Sequence, residues 1–221
     1  MNLPALPRRY HAASIWLLYA AGLAPAAWGF YLGATGQLVG NPVKIFEHLL
    51  GVWALRFLTL TLLISPIRDI FGINWIRYRR ALGLLAFWYV LMHFLAYMVL
   101  DKRLALDVIV EDITKRWFIT IGMAAFVALI PLALTSNRRS IRRLGPKWSK
   151  MHRLIYPIAA AGALHYCLSV KVIGPEQMLY AALVVILIGW RLVRRYYMER
   201  TRGTRTGPAS DGQASRAKPR S

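Results

Sequence analysis

Long apolar blocks separated by short basic clusters dominate the hydrophobicity pattern of this chain. Six blocks are each about the 20 residues that a helix needs to cross roughly 30 Å of hydrocarbon. We therefore expect an all-α, polytopic membrane bundle of six transmembrane helices in residues 1–196, followed by a disordered basic tail over 197–221 that is rich in Gly, Ser and Pro. The expected spans cover residues 12–33, 47–66, 81–100, 117–135, 152–170 and 177–195.

The basic residues alternate in density from loop to loop. Arginine and lysine crowd the segments before the first span, after the second, after the fourth and after the sixth, whereas the other loops carry few bases or balance them with acids. Since such bases mark the cytoplasmic side, both termini should be cytoplasmic. The amphiphilic loop 101–116 is then a candidate for a short interfacial segment on the outer side.

The first span also has features of a cleavable signal peptide, because Arg8 and Arg9 precede it and APAA follows at 24–27. Its apolar run is longer than the usual signal-peptide core, so we expect it to be retained.

Composition supports a membrane protein and argues against several other classes. The 221 residues are 57% hydrophobic and carry a formal net charge of +20. The bases flank apolar spans, where they contact lipid headgroups, so we expect membrane lipid as a partner and no nucleic acid. Cys167 is the only cysteine, which excludes a disulfide framework and covalent C-x-x-C-H haem attachment.

Nucleotide-binding motifs are missing from the chain. We find no glycine-rich dinucleotide fingerprint after a strand, no Walker loop and no soluble domain long enough for NAD(P)H or FAD. A chain of this kind that moves electrons would receive them from a quinone, a bound flavin or another protein.

Two of the five histidines are expected at one depth in the membrane. His93 lies about 20 Å beyond Arg80 along its span, and His165 lies about 22 Å beyond Lys150, at about 1.5 Å per residue. Their spans run in the same direction, so both should sit in the outer half of the bilayer. Such a pair can supply both axial ligands of a haem iron in a bundle core. The alternative is that each is a neutral imidazole hydrogen-bonded to a neighbouring helix.

His152 should lie about 20 Å deeper than His165, near the cytoplasmic boundary. That spacing suits a second iron ligand, although an ideal helix would place the two side chains about 140° apart unless Pro157 changes the phase. His11 is the only other histidine expected at that depth. We predict His152 as a ligand without an assigned partner, and the alternative is a hydrated interfacial histidine.

Two further residues are candidates for contacts to a cofactor. His48 opens the second span and would contact either the haem edge or an outer partner, unless it is simply interfacial. Arg56 lies about 12 Å further into the span, where a guanidinium needs an anion. A haem propionate would serve, and snorkelling is the alternative.

Several stretches of the chain together resemble a known family. They are NPVKIFEHLLG (41–51), LLISPIRD (62–69), RRALGLLAFWYVLMHFLAY (79–97), LGPKWSKMHRLIY (144–156) and HYCLSVKVIGPEQMLYA (165–181). They resemble the haem-binding membrane subunits of bacterial periplasmic methionine sulfoxide reductase systems, which are ferric-reductase-like transmembrane domains. Relatives in that wider group carry a histidine pair on each of two helices. Here the third span has only His93, which leaves a second haem site incomplete.

The resemblance implies a multi-pass b-type cytochrome of the bacterial inner membrane. It would take electrons from the quinone pool, directly or through FMN, and pass them to a periplasmic molybdopterin enzyme of the MsrP type that reduces methionine sulfoxide in oxidised proteins. In that role it would be an electron-transfer subunit and not the catalytic one. The residues alone leave two other classes open: a transporter or proton-coupled channel that uses the intramembrane His and Arg residues, and a haem-free membrane anchor.

Overall fold

The computed structural model describes residues 10–203, and this part of the chain is helical without any strand. A 3₁₀ turn precedes α3 (Ile76–Tyr78), another precedes α8 (His152–Leu154), and α3 continues into a π-helical segment (Ala96–Asp101). The α-helices are α1 (His11–Ala34), α2 (Pro42–Phe71), α3 (Arg79–Leu95), α4 (Leu106–Lys115), α5 (Trp117–Leu134), α6 (Arg138–Leu144), α7 (Pro146–Met151), α8 (Ile155–Leu168) and α9 (Pro175–Gly203).

Five helical stretches among the described residues are long and apolar enough to cross a membrane: α1, α2, Ile76–Asp101, α5 and Pro175–Met198. The all-α, multi-pass character predicted from the sequence is thus confirmed. The fifth expected span, 152–170, forms α8, which has 14 residues. An α-helix of that length spans about 21 Å, so the sixth crossing stays a prediction.

The central helix of the bundle is α2, which has the largest share of buried residues and packs on α1, α3, α8 and α9. Local sequence fixes both of its ends. The Asn41 side chain accepts a hydrogen bond from Lys44 N at 3.1 Å, and Pro42 occupies the first turn. Gly72 ends the helix at φ 71°, a left-handed conformation that glycine adopts without strain. Helix α5 packs on the far side, against α3 and α8.

The structure bears on three local expectations. Loop 101–116 contains the helix α4, as an interfacial segment would. Pro157 lies in the first turn of α8, after the 3₁₀ turn that holds His152, so the path from His152 to His165 is not one ideal helix. The expected tail, 197–221, begins in α9 for residues 197–203, and its remainder lies outside the described residues.

A buried tyrosine joins α3 to α1. The Tyr89 hydroxyl donates to Gly22 O at 2.7 Å and accepts from Ala26 N at 3.2 Å. In a regular helix these two backbone groups would pair with each other, and Pro25 beside them has no N–H to donate. Tyr89 has no exposed surface, so its hydroxyl satisfies polar groups that neither water nor lipid reaches.

We expect Tyr89→Phe to destabilise the bundle by about 1–3 kcal/mol, because it removes both buried hydrogen bonds of the Tyr89 hydroxyl. The measurement is thermal unfolding of the purified protein in detergent. Tyr31→Phe makes the same chemical change on an exposed face of α1 and should leave the midpoint unchanged. Equal midpoints for both variants would contradict the bridging role of Tyr89.

Candidate functional site

His93 and His165 face each other inside the bundle. His93 lies on α3 and His165 on α8, and their ring centroids are 6.2 Å apart with planes at 82°. Both rings line a cavity of about 460 Å³ enclosed by α2, α3, α5 and α8. The structure thus brings together the two histidines for which the sequence predicted a common depth.

Backbone carbonyls of neighbouring helices fix the orientation of both rings. Nδ1 of His93 lies 2.9 Å from the carbonyl oxygen of Glu47 on α2, and Nδ1 of His165 lies 2.6 Å from that of Phe118 on α5. A carbonyl only accepts hydrogen bonds, so Nδ1 of each neutral ring carries the proton. Nε2 is then unprotonated on both rings, which is the form that binds a metal ion.

Two glycines make room for these rings. A Cβ on Gly51 would lie 3.3 Å from the His93 ring, and one on Gly122 would lie 2.8 Å from His165 Nδ1. Each glycine follows the residue with the accepting carbonyl by one helical turn, Gly51 after Glu47 and Gly122 after Phe118. In both places, a glycine one turn after the accepting carbonyl lets the imidazole pack against the helix backbone. Sequence reasoning missed both residues, and the available signal was a glycine in the middle of an apolar span.

The pair and the cavity fit a haem iron held between two imidazoles. A transition metal about 2 Å from each coordinating nitrogen separates the ring centroids by roughly 6 Å, and the observed separation is 6.2 Å. The volume of about 460 Å³ lies within the usual range for cofactor pockets. Apolar side chains, including Leu55, Leu58 and Val90, form much of the wall.

The other histidines have different surroundings. His48 lines the same cavity and packs against Tyr166, with ring centroids 5.7 Å apart. His152 stacks on Trp148 at 3.9 Å, and its Nδ1 lies 3.1 Å from the Trp148 carbonyl oxygen. His11 contacts the Arg77 side chain. Within residues 10–203 the structure therefore assembles one facing histidine pair.

Arg56 is not among the residues that line the cavity. Its Nε donates to the Tyr180 hydroxyl at 2.9 Å, and Nη2 pairs with Glu176 Oε1 at 3.3 Å. The guanidinium also lies over the Trp53 ring at 4.8 Å. The anion that Arg56 was expected to need is thus a carboxylate of this chain.

A network of ion pairs closes one end of the cavity, which we call the α4 end. Lys102 Nζ lies 2.7 Å from Asp112 Oδ2 and 3.4 Å from Asp101, which also pairs with Lys44 at 2.9 Å. Arg116 Nε pairs with Asp112 at 3.1 Å. The Tyr97 hydroxyl, on the π-helical segment, donates to Asp112 as well. The sequence predicted an interfacial segment here but not these contacts.

The environment of Asp112 favours its charged form. The hydrogen bond from Lys102, together with that from Tyr97 and the charges of Lys102 and Arg116, holds the pKa of this carboxyl below its usual value despite its burial. The buried carboxylate therefore anchors α4 to the π-helical segment.

Comparison with known proteins identifies similar sequences. Residues 50–163 match the family model described as ferric reductase like transmembrane component. The chain is 68% identical over 204 residues to the protein-methionine-sulfoxide reductase heme-binding subunit MsrQ of Rhizobium meliloti, covering 92% of this chain and 94% of the relative. The MsrQ subunits of Agrobacterium fabrum and Brucella ovis are 55% and 58% identical, over 94% and 91% of this chain and 97% and 91% of theirs.

We expect Gly122→Ala to displace the His165 ring, because a methyl group would lie 2.8 Å from Nδ1. A haem held by this pair should then be largely lost, measured as the haem-to-protein ratio after purification. Gly51→Ala, with a 3.3 Å contact, should lose less. Gly189→Ala on α9 meets no atom within 4 Å and should match the wild type. A full haem complement in Gly122→Ala would contradict this account of the site.

The lowered pKa of Asp112 makes part of the stability dependent on pH. A group whose pKa falls on folding stabilises the protein above its unfolded pKa of about 3.9, and that contribution is lost as the pH drops through the folded pKa. Asp112→Asn should therefore lower the unfolding midpoint at neutral pH and flatten its decline between about pH 5 and pH 3. Asp107→Asn, an exposed acid on the same helix, should keep the wild-type profile, and a shared profile for all three proteins would refute the assignment.

Proposed function

This chain belongs to the MsrQ family of ferric-reductase-like transmembrane proteins, and we propose that it is a membrane b-type cytochrome serving a methionine sulfoxide reductase. Electrons pass from the quinone pool, directly or through FMN, across the inner membrane to a periplasmic molybdopterin subunit of the MsrP type. The observation that carries the proposal is the facing pair His93 and His165, with both Nδ1 atoms held by backbone carbonyls.

The residues of the chain act by binding and orienting. His93 and His165 would hold the iron of haem b, and His48 would contact the cofactor. When bound, haem b provides a one-electron carrier whose potential depends on its axial ligands and burial. The carbonyls of Glu47 and Phe118 prevent the rings from turning, and they make each imidazole more electron-donating. The apolar wall keeps water away from the metal-binding nitrogens.

We further propose six crossings with both termini in the cytoplasm. The fifth crossing consists of the 3₁₀ turn at His152–Leu154 and α8, with α6 and α7 lying at the cytoplasmic surface. Their six bases support this orientation: Arg138, Arg139, Arg142, Arg143, Lys147 and Lys150. The α4 end of the cavity then faces the periplasm, where the acceptor lies. Residues 1–196 form the membrane domain, and the tail beyond them is cytoplasmic.

His152 enters the proposal as a ligand at a second, inner level, without an assigned partner. Its Nδ1 also contacts a backbone carbonyl, that of Trp148. Arg56 has its own carboxylate partner and is not part of the proposed haem contacts.

The visible spectrum of the purified protein tests the function. A reducible b-type Soret and α-band is expected, and reduction by a quinol under anaerobic conditions would support the proposed donor. A colourless protein from haem-replete cells would refute the cytochrome and favour a haem-free anchor or a transporter.

Ligand variants extend this prediction to single residues. His93→Ala and His165→Ala should each remove the outer haem, since one neutral imidazole is lost from the pair. His11→Ala should retain the outer haem, because His11 contacts Arg77 and is not part of the facing pair. Loss of part of the haem in His152→Ala, with the outer site kept, would reveal an inner haem. Wild-type haem content in both His93→Ala and His165→Ala would show that the pair is not the ligand set.

A further inference from the structure

Charged side chains gather at one end of the cavity only. Lys44, Lys102 and Arg116 line the α4 end, whereas the opposite end is lined by apolar residues such as Leu58, Leu129 and Ile158. Haem b has the same asymmetry, because its two propionate carboxylates extend from one edge of an otherwise apolar ring. A ligand of that shape fits this cavity in one direction.

The acids of the network have little exposed surface, and two of its three cations reach outward, whereas the Lys102 side chain is 16% exposed. The side chains of Glu47, Asp101 and Asp112 are at most 15% exposed. Lys44 and Arg116 are 53% and 54% exposed. Arg116 pairs with Asp112 through Nε, which leaves its two terminal NH₂ groups outside that ion pair. The carboxylates therefore hold the cations at the cavity wall while donor groups remain for a ligand.

We propose that Lys44, Lys102 and Arg116 bind the propionate carboxylates of the haem and so direct its propionate edge to the α4 end. This inference rests on the proposed haem function. It assigns to these three residues the role that the sequence suggested for Arg56, which lies outside the cavity and pairs with Glu176. Lysine and arginine form their strongest hydrogen bonds with carboxylates, and the low dielectric of the cavity strengthens them further.

The test compares haem b with its dimethyl ester, which has the same ring without the carboxylate charges. The full-length protein is loaded with either cofactor, and its release to excess apomyoglobin is timed. In the wild type the ester should leave about tenfold faster, because charge-assisted hydrogen bonds are lost. In Lys102→Met and Arg116→Met, haem b should leave faster than in the wild type, and the difference between the two cofactors should shrink to about twofold or less.

Two controls separate the charge contact from folding. Lys115→Met removes a neighbouring cation that pairs with Glu111 outside the cavity, so it should keep the tenfold difference. The double variant Lys102→Met with Asp112→Asn removes a cation and its buried acid together. This double variant should show the same reduced difference in release rate between haem b and its dimethyl ester as Lys102→Met.

The outcomes distinguish this inference from the proposed function. The propionate assignment would be overturned if the two cofactors still differed tenfold in release rate in Lys102→Met and Arg116→Met. It would also be overturned if that difference were lost in Arg56→Met instead. Neither result would contradict the proposed cytochrome function. A wild-type protein that binds neither cofactor would overturn both.

Discussion

An imidazole N–H inside a membrane needs an acceptor, and this requirement organises the centre of the bundle. Hydrocarbon supplies none, so His93 and His165 donate to carbonyls of α2 and α5. Beside each carbonyl, a glycine one turn later leaves the helix surface open for the ring. The two contacts link α3 to α2 and α8 to α5. The four helices that enclose the cavity are therefore joined in two pairs through the residues proposed to bind iron.

Properties that depend on position along a helix axis could be predicted from the sequence. The common level of His93 and His165 along their helices follows from a constant rise per residue, and their pairing is observed. The direction in which a side chain points around the helix axis was much harder to predict from the sequence. The phase between His152 and His165 depends on a 3₁₀ turn, and no hydrophobicity pattern marks such a turn inside an apolar block.

Contacts between distant segments account for the remaining differences. Arg56 meets Glu176 and Tyr180, which lie on α9 at the other end of the sequence. An arginine in a span indicates that an anion is near but does not identify it. The sequence therefore cannot distinguish a cofactor carboxylate from a protein carboxylate as its partner, whereas the packing of the helices can. The same holds for Asp112, whose partners Tyr97, Lys102 and Arg116 come from three successive segments around the cavity mouth.

Glu47 joins the two halves of the site. Its backbone carbonyl accepts from His93, and its carboxylate pairs with Lys44 at 3.2 Å, which in turn pairs with Asp101 at the end of the π-helical segment. That segment extends the same helix that carries His93. A shift of the α2 N-terminus would therefore move the acceptor of His93 and the ion pairs of the α4 end together. The proposed iron ligation and the proposed propionate binding thus depend on one helix end, which Asn41 and Pro42 hold in place.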